Sequence, residues 1–119
     1  AVSGFGDTLQ ALKGGQPADP LADPGTADLT AHVDFATLAA VARQAGASVH
    51  GPRPQGLFLA ELGLFQRANR LAERQSPRDG YATMLAARRL GEPDGMGRLF
   101  KAMAVVSPGC PVLPGFDAT

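Results

Sequence analysis

A chain of 119 residues, 45% apolar, is the size of one small domain. Eleven acids balance eleven bases, which excludes a non-specific nucleic-acid or membrane-surface binder, since either needs a basic excess. The single cysteine, Cys110, excludes an internal disulfide and fits a reducing compartment, and no apolar run reaches membrane-spanning length.

Fifteen glycines and ten prolines predict many turns. Ala1 to Gly6 reads as a loop, and Thr8 to Leu12 as a short strand bounded by Gly6 and Gly14-Gly15. Gln16 to Gly25 carries Pro17, Pro20 and Pro24 and reads as a long loop. After the Pro24-Gly25 turn signal, Leu29, Ala31 and Val33 alternate with Thr30, His32 and Asp34, the period of an extended segment. On such a segment Asp28, Thr30, His32 and Asp34 project to one side. Asp34 then caps a helix. These polar residues have two readings. They make a functional face, or Asp28 holds a turn, Asp34 caps a helix and His32 lies on the surface. The second is the commoner use of Asp at such positions.

Phe35 to Gln44 is the clearest helix, with Phe35, Leu38, Ala39 and Ala42 on one stripe and Gly46 stopping it. Ala47 to Gly51 reads as a strand, so helix, turn and strand form half of a βαβ unit. Pro52 and Pro54 predict a rigid bend. A helix follows from Gln55, interrupted at Gly63, with Leu64, Phe65, Ala68, Leu71 and Ala72 continuing the apolar stripe. Ser76-Pro77 starts another helix, with Tyr81, Met84, Leu85 and Leu90 expected inward and Gly91-Glu92-Pro93 ending it. Gly95-Met96-Gly97 reads as a flexible link, and Leu99 to Val106 as a final strand. The order of elements is that of an α/β fold. Arg67, Arg70, Arg74, Arg78, Arg88 and Arg89 read as a solvated helical face.

No Walker loop, Gly-x-Ser-x-Gly or His-Glu-x-x-His is present. Asp28, His32 and Asp34 are metal-ligand types, but zinc and iron sites ask for more His or Cys at fixed spacing, so no metal is expected. His50, alone in its strand, reads as structural.

Several blocks resemble the MidA family of S-adenosylmethionine-dependent methyltransferases. These are Gly6-Asp7-Thr8-Leu9-Gln10-Ala11, Asp19-Pro20-Leu21-Ala22-Asp23-Pro24-Gly25 and Ala27-Asp28-Leu29-Thr30-Ala31-His32-Val33-Asp34-Phe35. They continue in order with Gly51-Pro52, Gln55-Gly56, Phe58-Leu59, Leu62-Gly63, Met96-Gly97, Leu99-Phe100-Lys101 and Pro114-Gly115-Phe116. Gly15 departs from the pattern, since family members commonly carry His there.

The resemblance implies the C-terminal part of a class I, Rossmann-like methyltransferase sheet. Residues 1–119 would be one segment, with a helical insertion at about 55–91. The family's glycine-rich cofactor loop and ribose-binding acid would lie in an N-terminal half. S-adenosylmethionine would be bound mainly there, and the segment alone would be inactive. The parent enzyme would methylate a protein side chain such as arginine. Asp7, Asp28 and Asp34 are then the candidates to orient a guanidinium bidentately, with His32 and Gln55 as supporting groups, Gln55 on the substrate. The implied partners are the enzyme's N-terminal half, on the same chain or a separate one, a protein substrate and a second copy of the chain. No nucleic acid or membrane is implied, and the expected location is the bacterial cytoplasm. The alternative is a standalone interaction or scaffold module without catalysis.

Overall fold

The structure, a computed structural model, describes residues 8–117. Asp7 lies outside the described residues. The chain divides into two compact units, one up to Leu38 and one from Ala39.

The first unit is a three-stranded antiparallel sheet. Its strands are β1 (Gln10–Lys13), β2 (Gln16–Ala18) and β3 (Asp28–Thr30), in the order β2-β1-β3. Gly14 and Gly15 join β1 to β2 with φ of +58° and +78°. Positive φ at both central residues is what a tight hairpin turn requires, and glycine reaches it without strain. The long loop expected from Gln16 is therefore a strand over its first three residues. Pro17 is tolerated because β2 lies at the sheet edge, where a missing N–H donor costs no ladder bond. Ala11 of β1, opposite Leu29 in register, is buried.

Helix α1 (Phe35–Gln44) has the boundaries its cap and stop signals predict. Asp34 accepts from the Thr37 N–H through Oδ1 at 3.1 Å and from the Thr37 hydroxyl through Oδ2 at 2.8 Å. Gly46, at φ +86°, ends the helix in the left-handed conformation.

The second unit pairs β4 (Ser48–Pro54) antiparallel with β5 (Lys101–Val106) and places four helices between them in sequence. The bend expected at Pro52 and Pro54 is instead a continuation of β4, with a register irregularity between His50 and Arg53. Proline is compatible with strands at such irregularities. The helices are α2 (Gln55–Glu61), α3 (Leu64–Ala72), α4 (Pro77–Gly91) and α5 (Met96–Leu99). Gly63, at φ +86°, separates α2 from α3. Ser76 caps α4, its Oγ accepting from the Asp79 N–H at 3.2 Å.

The helices meet through small residues. Ala68 of α3 and Ala87 of α4 are buried, as are Gly80 and Gly91. A Cβ on Gly80 would lie 2.9 Å from the Ala72 carbonyl oxygen, and one on Gly91 2.8 Å from Phe65 Cζ. Gly80, Ala87 and Gly91 therefore form the inward stripe of α4. Tyr81, Leu85 and Leu90, expected inward, are exposed, because the backbones approach too closely for large side chains between them. Gly95-Met96-Gly97 is also not a flexible link. It opens α5, and Gly97 is packed against the end of α4, with its N–H donating to the Glu92 carbonyl at 3.0 Å. Among the described residues the buried apolar side chains are all alanines. No helix there is long and apolar enough to cross a membrane.

Candidate functional site

In the first unit, β3 carries Asp28 and Thr30 on the same strand face, opposite Leu12 and Gln10 of β1. The strand stops at Thr30, so the predicted four-residue face is realised only for these two. His32 lies beyond the strand, where its N–H donates to Thr8 Oγ1 at 3.1 Å. Asp34 sits at the helix cap, with both carboxylate oxygens accepting from Thr37. Asp28 is exposed, and among the described residues its carboxylate has no hydrogen bond or ion pair. Of the predicted carboxylates among the described residues, it is the one held on a strand without a local partner. An exposed carboxylate in that state can accept two parallel N–H bonds from a guanidinium.

In the second unit, Gln55 opens α2. Its N–H donates to the Phe100 carbonyl at 2.9 Å, and its Nε2 donates to the Leu90 carbonyl at 2.9 Å. The side chain thus ties the start of α2 to the end of α4.

Sequence reasoning passed over Arg53 and Glu61. The Arg53 guanidinium, 15% exposed, bonds Glu61 and the Gly115 carbonyl, joining β4, α2 and the C-terminal turn. The one available signal was that Arg53 and Glu61 are the only Lys, Arg, Asp or Glu between residues 44 and 66. Phe116 packs beside this clamp, 5.1 Å from Phe58 and 6.3 Å from His50 between ring centroids. Farther along, Arg88 Nε donates to Glu92 Oε1 at 2.9 Å. This bond, and the carboxylate's charge, raise the pKa of the Arg88 guanidinium above its already high ordinary value. The Arg88 guanidinium therefore stays charged at any working pH.

An open pocket of about 590 Å³ lies where α2, α4 and α5 meet, lined mainly by apolar groups of Pro54, Leu57, Ala60, Phe65 and Pro93. Glu92 and Arg98 belong to the same lining. Glycines cluster here too: the Gly91 backbone fills the space beside Gly56 and Gly97, and the Phe65 and Leu64 side chains fill that beside Gly91.

A family described as "Putative S-adenosyl-L-methionine-dependent methyltransferase" matches residues 1–53. A Drosophila melanogaster protein named as the mitochondrial protein arginine methyltransferase NDUFAF7 homolog is 38% identical over 101 residues, covering 83% of this chain. The Xenopus laevis protein arginine methyltransferase NDUFAF7 is 36% identical over 107 residues, covering 84% of this chain. A candidate methyl transferase from Burkholderia thailandensis, solved with S-adenosyl-homocysteine bound, superposes with a TM-score of 0.72. It is 28% identical and covers 92% of this chain and 28% of its own.

The chain belongs to the MidA family.

It spans 23% of the length of the Drosophila and Xenopus relatives. In this MidA-family segment the strands and helices belong to the C-terminal part of the family's α/β fold. Among the described residues the first unit carries Asp28 and the exposed Lys13–Asp23 ion pair, at 3.8 Å, and the second carries the Arg53–Glu61 and Arg88–Glu92 pairs and the apolar pocket.

Proposed function

We propose that the protein containing this MidA-family segment transfers a methyl group from S-adenosylmethionine to a protein side chain, with an arginine guanidinium as acceptor. The match over more than four-fifths of the chain to proteins named as protein arginine methyltransferases carries this reading. The neighbour solved with S-adenosyl-homocysteine supports the choice of cofactor. The remainder of the protein, on the same chain or another, would complete a Rossmann-like sheet and hold most of the cofactor.

On this reading the segment works on the substrate side. Asp28 accepts the acceptor guanidinium and fixes its plane, which lowers the entropic cost of a productive approach. Asp34 holds the start of α1, and His32 holds the link between β3 and α1 through its N–H. A protein substrate and self-association are part of the same proposal. So is a location in the bacterial cytoplasm, to which the lone cysteine lends support; the animal relatives are named as mitochondrial.

The test uses the complete protein with isotope-labelled S-adenosylmethionine and arginine-containing polypeptides. Label should enter arginine, located by mass spectrometry, with S-adenosyl-homocysteine formed in equal amount. Failure to bind the cofactor in calorimetry, or label entering only non-protein acceptors, would overturn the reading.

A further inference from the structure

Helix α4 turns an unusual face to solvent. At 100° per residue, Arg78, Tyr81, Leu85, Arg88 and Arg89 fall within an arc of roughly 100°. The buried Gly80, Ala87 and Gly91 occupy another arc. Tyr81 is 69% exposed and Leu85 45%. The two apolar groups are thus flanked by guanidinium groups at both ends of the helix. Arg88 is paired with Glu92, but Arg78 and Arg89 have no ion pair or hydrogen bond among the described residues. Glu92 in turn lines the apolar pocket, so the face runs into a cavity at its C-terminal end.

The neutral total conceals a strong asymmetry. Residues 8–38 carry four acids and one base, whereas residues 39–117 carry six acids and ten bases. The basic surplus lies in the same unit as α4. Tyrosine and arginine are among the residue types most enriched at the energetic centres of protein interfaces.

We propose that this face of α4 binds an acidic segment of the protein substrate, carrying an apolar side chain between two carboxylates. The proposal rests on the protein-methylation reading and narrows its substrate class. Arg78 and Arg89 are eleven residues apart, about 16 Å along a helix axis. An extended peptide covers that span with about five residues. The matching ligand therefore has acids about five residues apart with an apolar residue between them over Tyr81 and Leu85. A nucleic acid would match the guanidinium groups but leave the Tyr81–Leu85 centre without an apolar partner, unless a base stacked on the ring.

The probe is a fluorescein-labelled peptide with two glutamates about five residues apart around a leucine, followed by an arginine. Its binding to the complete protein is read by anisotropy, without turnover. The charge reversal Arg78→Glu/Arg89→Glu should raise the peptide Kd about tenfold or more and flatten its salt dependence. Cofactor affinity and melting temperature should not change. Tyr81→Ser should weaken binding while leaving the salt slope intact. A peptide with lysines for the glutamates should not bind. Equal affinity for the wild-type and reversed proteins would overturn the docking site, as would tighter binding of a single-stranded RNA of similar length at this face. If the reversal abolishes peptide binding but no peptide is ever methylated, the docking site stands and the methylation reading falls. If arginine is methylated with a KM indifferent to the reversal, the methylation reading stands and the docking site falls.

Discussion

Gly56 of α2 and Gly91 of α4 pack backbone against backbone. A Cβ on Gly56 would overlap the Gly91 carbonyl oxygen and lie 3.1 Å from the Gly97 Cα. One on Gly97 would lie 2.7 Å from the Glu92 carbonyl oxygen. Each contact is to backbone, which cannot swing aside as a side chain can. Gly56→Ala should therefore destabilise the protein, although alanine is the better helix former by roughly 1 kcal/mol. Overpacking of this kind costs about 1–3 kcal/mol. Thermal melts of Gly56→Ala and Gly97→Ala should both show lowered midpoints, and an unchanged or raised midpoint for either would contradict the close approach.

A second prediction concerns the clamp at Arg53. Its guanidinium satisfies Glu61 and the Gly115 carbonyl together, and a methionine there keeps the side chain's length but supplies no donor. Leaving those acceptors without their donor costs about 1–3 kcal/mol. Arg53→Met should lower the melting temperature and release the C-terminal turn, so limited proteolysis should cut more readily between residues 111 and 117. Arg53→Lys should fall between the two, because one ammonium cannot reproduce the planar fork. Unchanged cleavage and melting in Arg53→Met would show that the tail is held by the Phe58–Phe116 contact instead.

Asp28 and Asp34 should separate cleanly in the complete protein. Asp34 is bonded twice to Thr37, so Asp34→Ala removes a helix cap and should cost about 0.5–2 kcal/mol. Asp28 is exposed on β3, and Asp28→Ala should change stability by less than about 0.5 kcal/mol, as surface substitutions usually do. If Asp28 orients the acceptor, the same variant should lower methyl transfer at least tenfold, an effect on the order of 1.4 kcal/mol. Melting curves measured beside turnover decide the matter. Loss of folding in Asp28→Ala, with normal turnover per folded molecule, would leave Asp28 a turn residue.

What could be read in advance depended on whether the signal was local. The limits of α1 follow from Asp34 and Gly46, and the start of α4 from Ser76-Pro77, because caps and stops act within one helical turn. Strand β2 escaped notice because Pro17 suggests a breaker, and only the pairing of Leu12 with Pro17 at an edge shows why it is tolerated. The helical period of α4 was legible but its inward side was not. Tyr81 and Leu85 suggest a core stripe, whereas the small residues Gly80, Ala87 and Gly91 decide which side packs. At the candidate site the alternation from Asp28 to Asp34 suggests a longer strand than β1 can pair. Its opposite residues run only from Gln10 to Leu12, so His32 and Asp34 fall outside the sheet. The Arg53–Glu61 pair depends on how β4 turns into α2 and has no periodic signature.

The last prediction follows from the ribbon of β4 and β5. Among the described residues each strand has one partner, so the outer edge of each offers unpaired backbone groups. Lys101 is the only charge on β5, and Val105 is 49% exposed. A two-stranded ribbon is marginal in water, and an apolar edge with one charge is a ready template for another strand. Since the segment spans under a quarter of the Drosophila and Xenopus relatives, the remaining chain is the natural cover for these edges. Residues 1–119 produced alone should self-associate, with a sedimentation coefficient that rises with concentration. Val105→Lys, which places a second charge on the edge, should reduce that rise. Co-production with the remainder of the protein should replace self-association by a complex of one copy of each. A monomer at high concentration, with no association in either the native or the Val105→Lys form, would mean that the ribbon's edges are already protected.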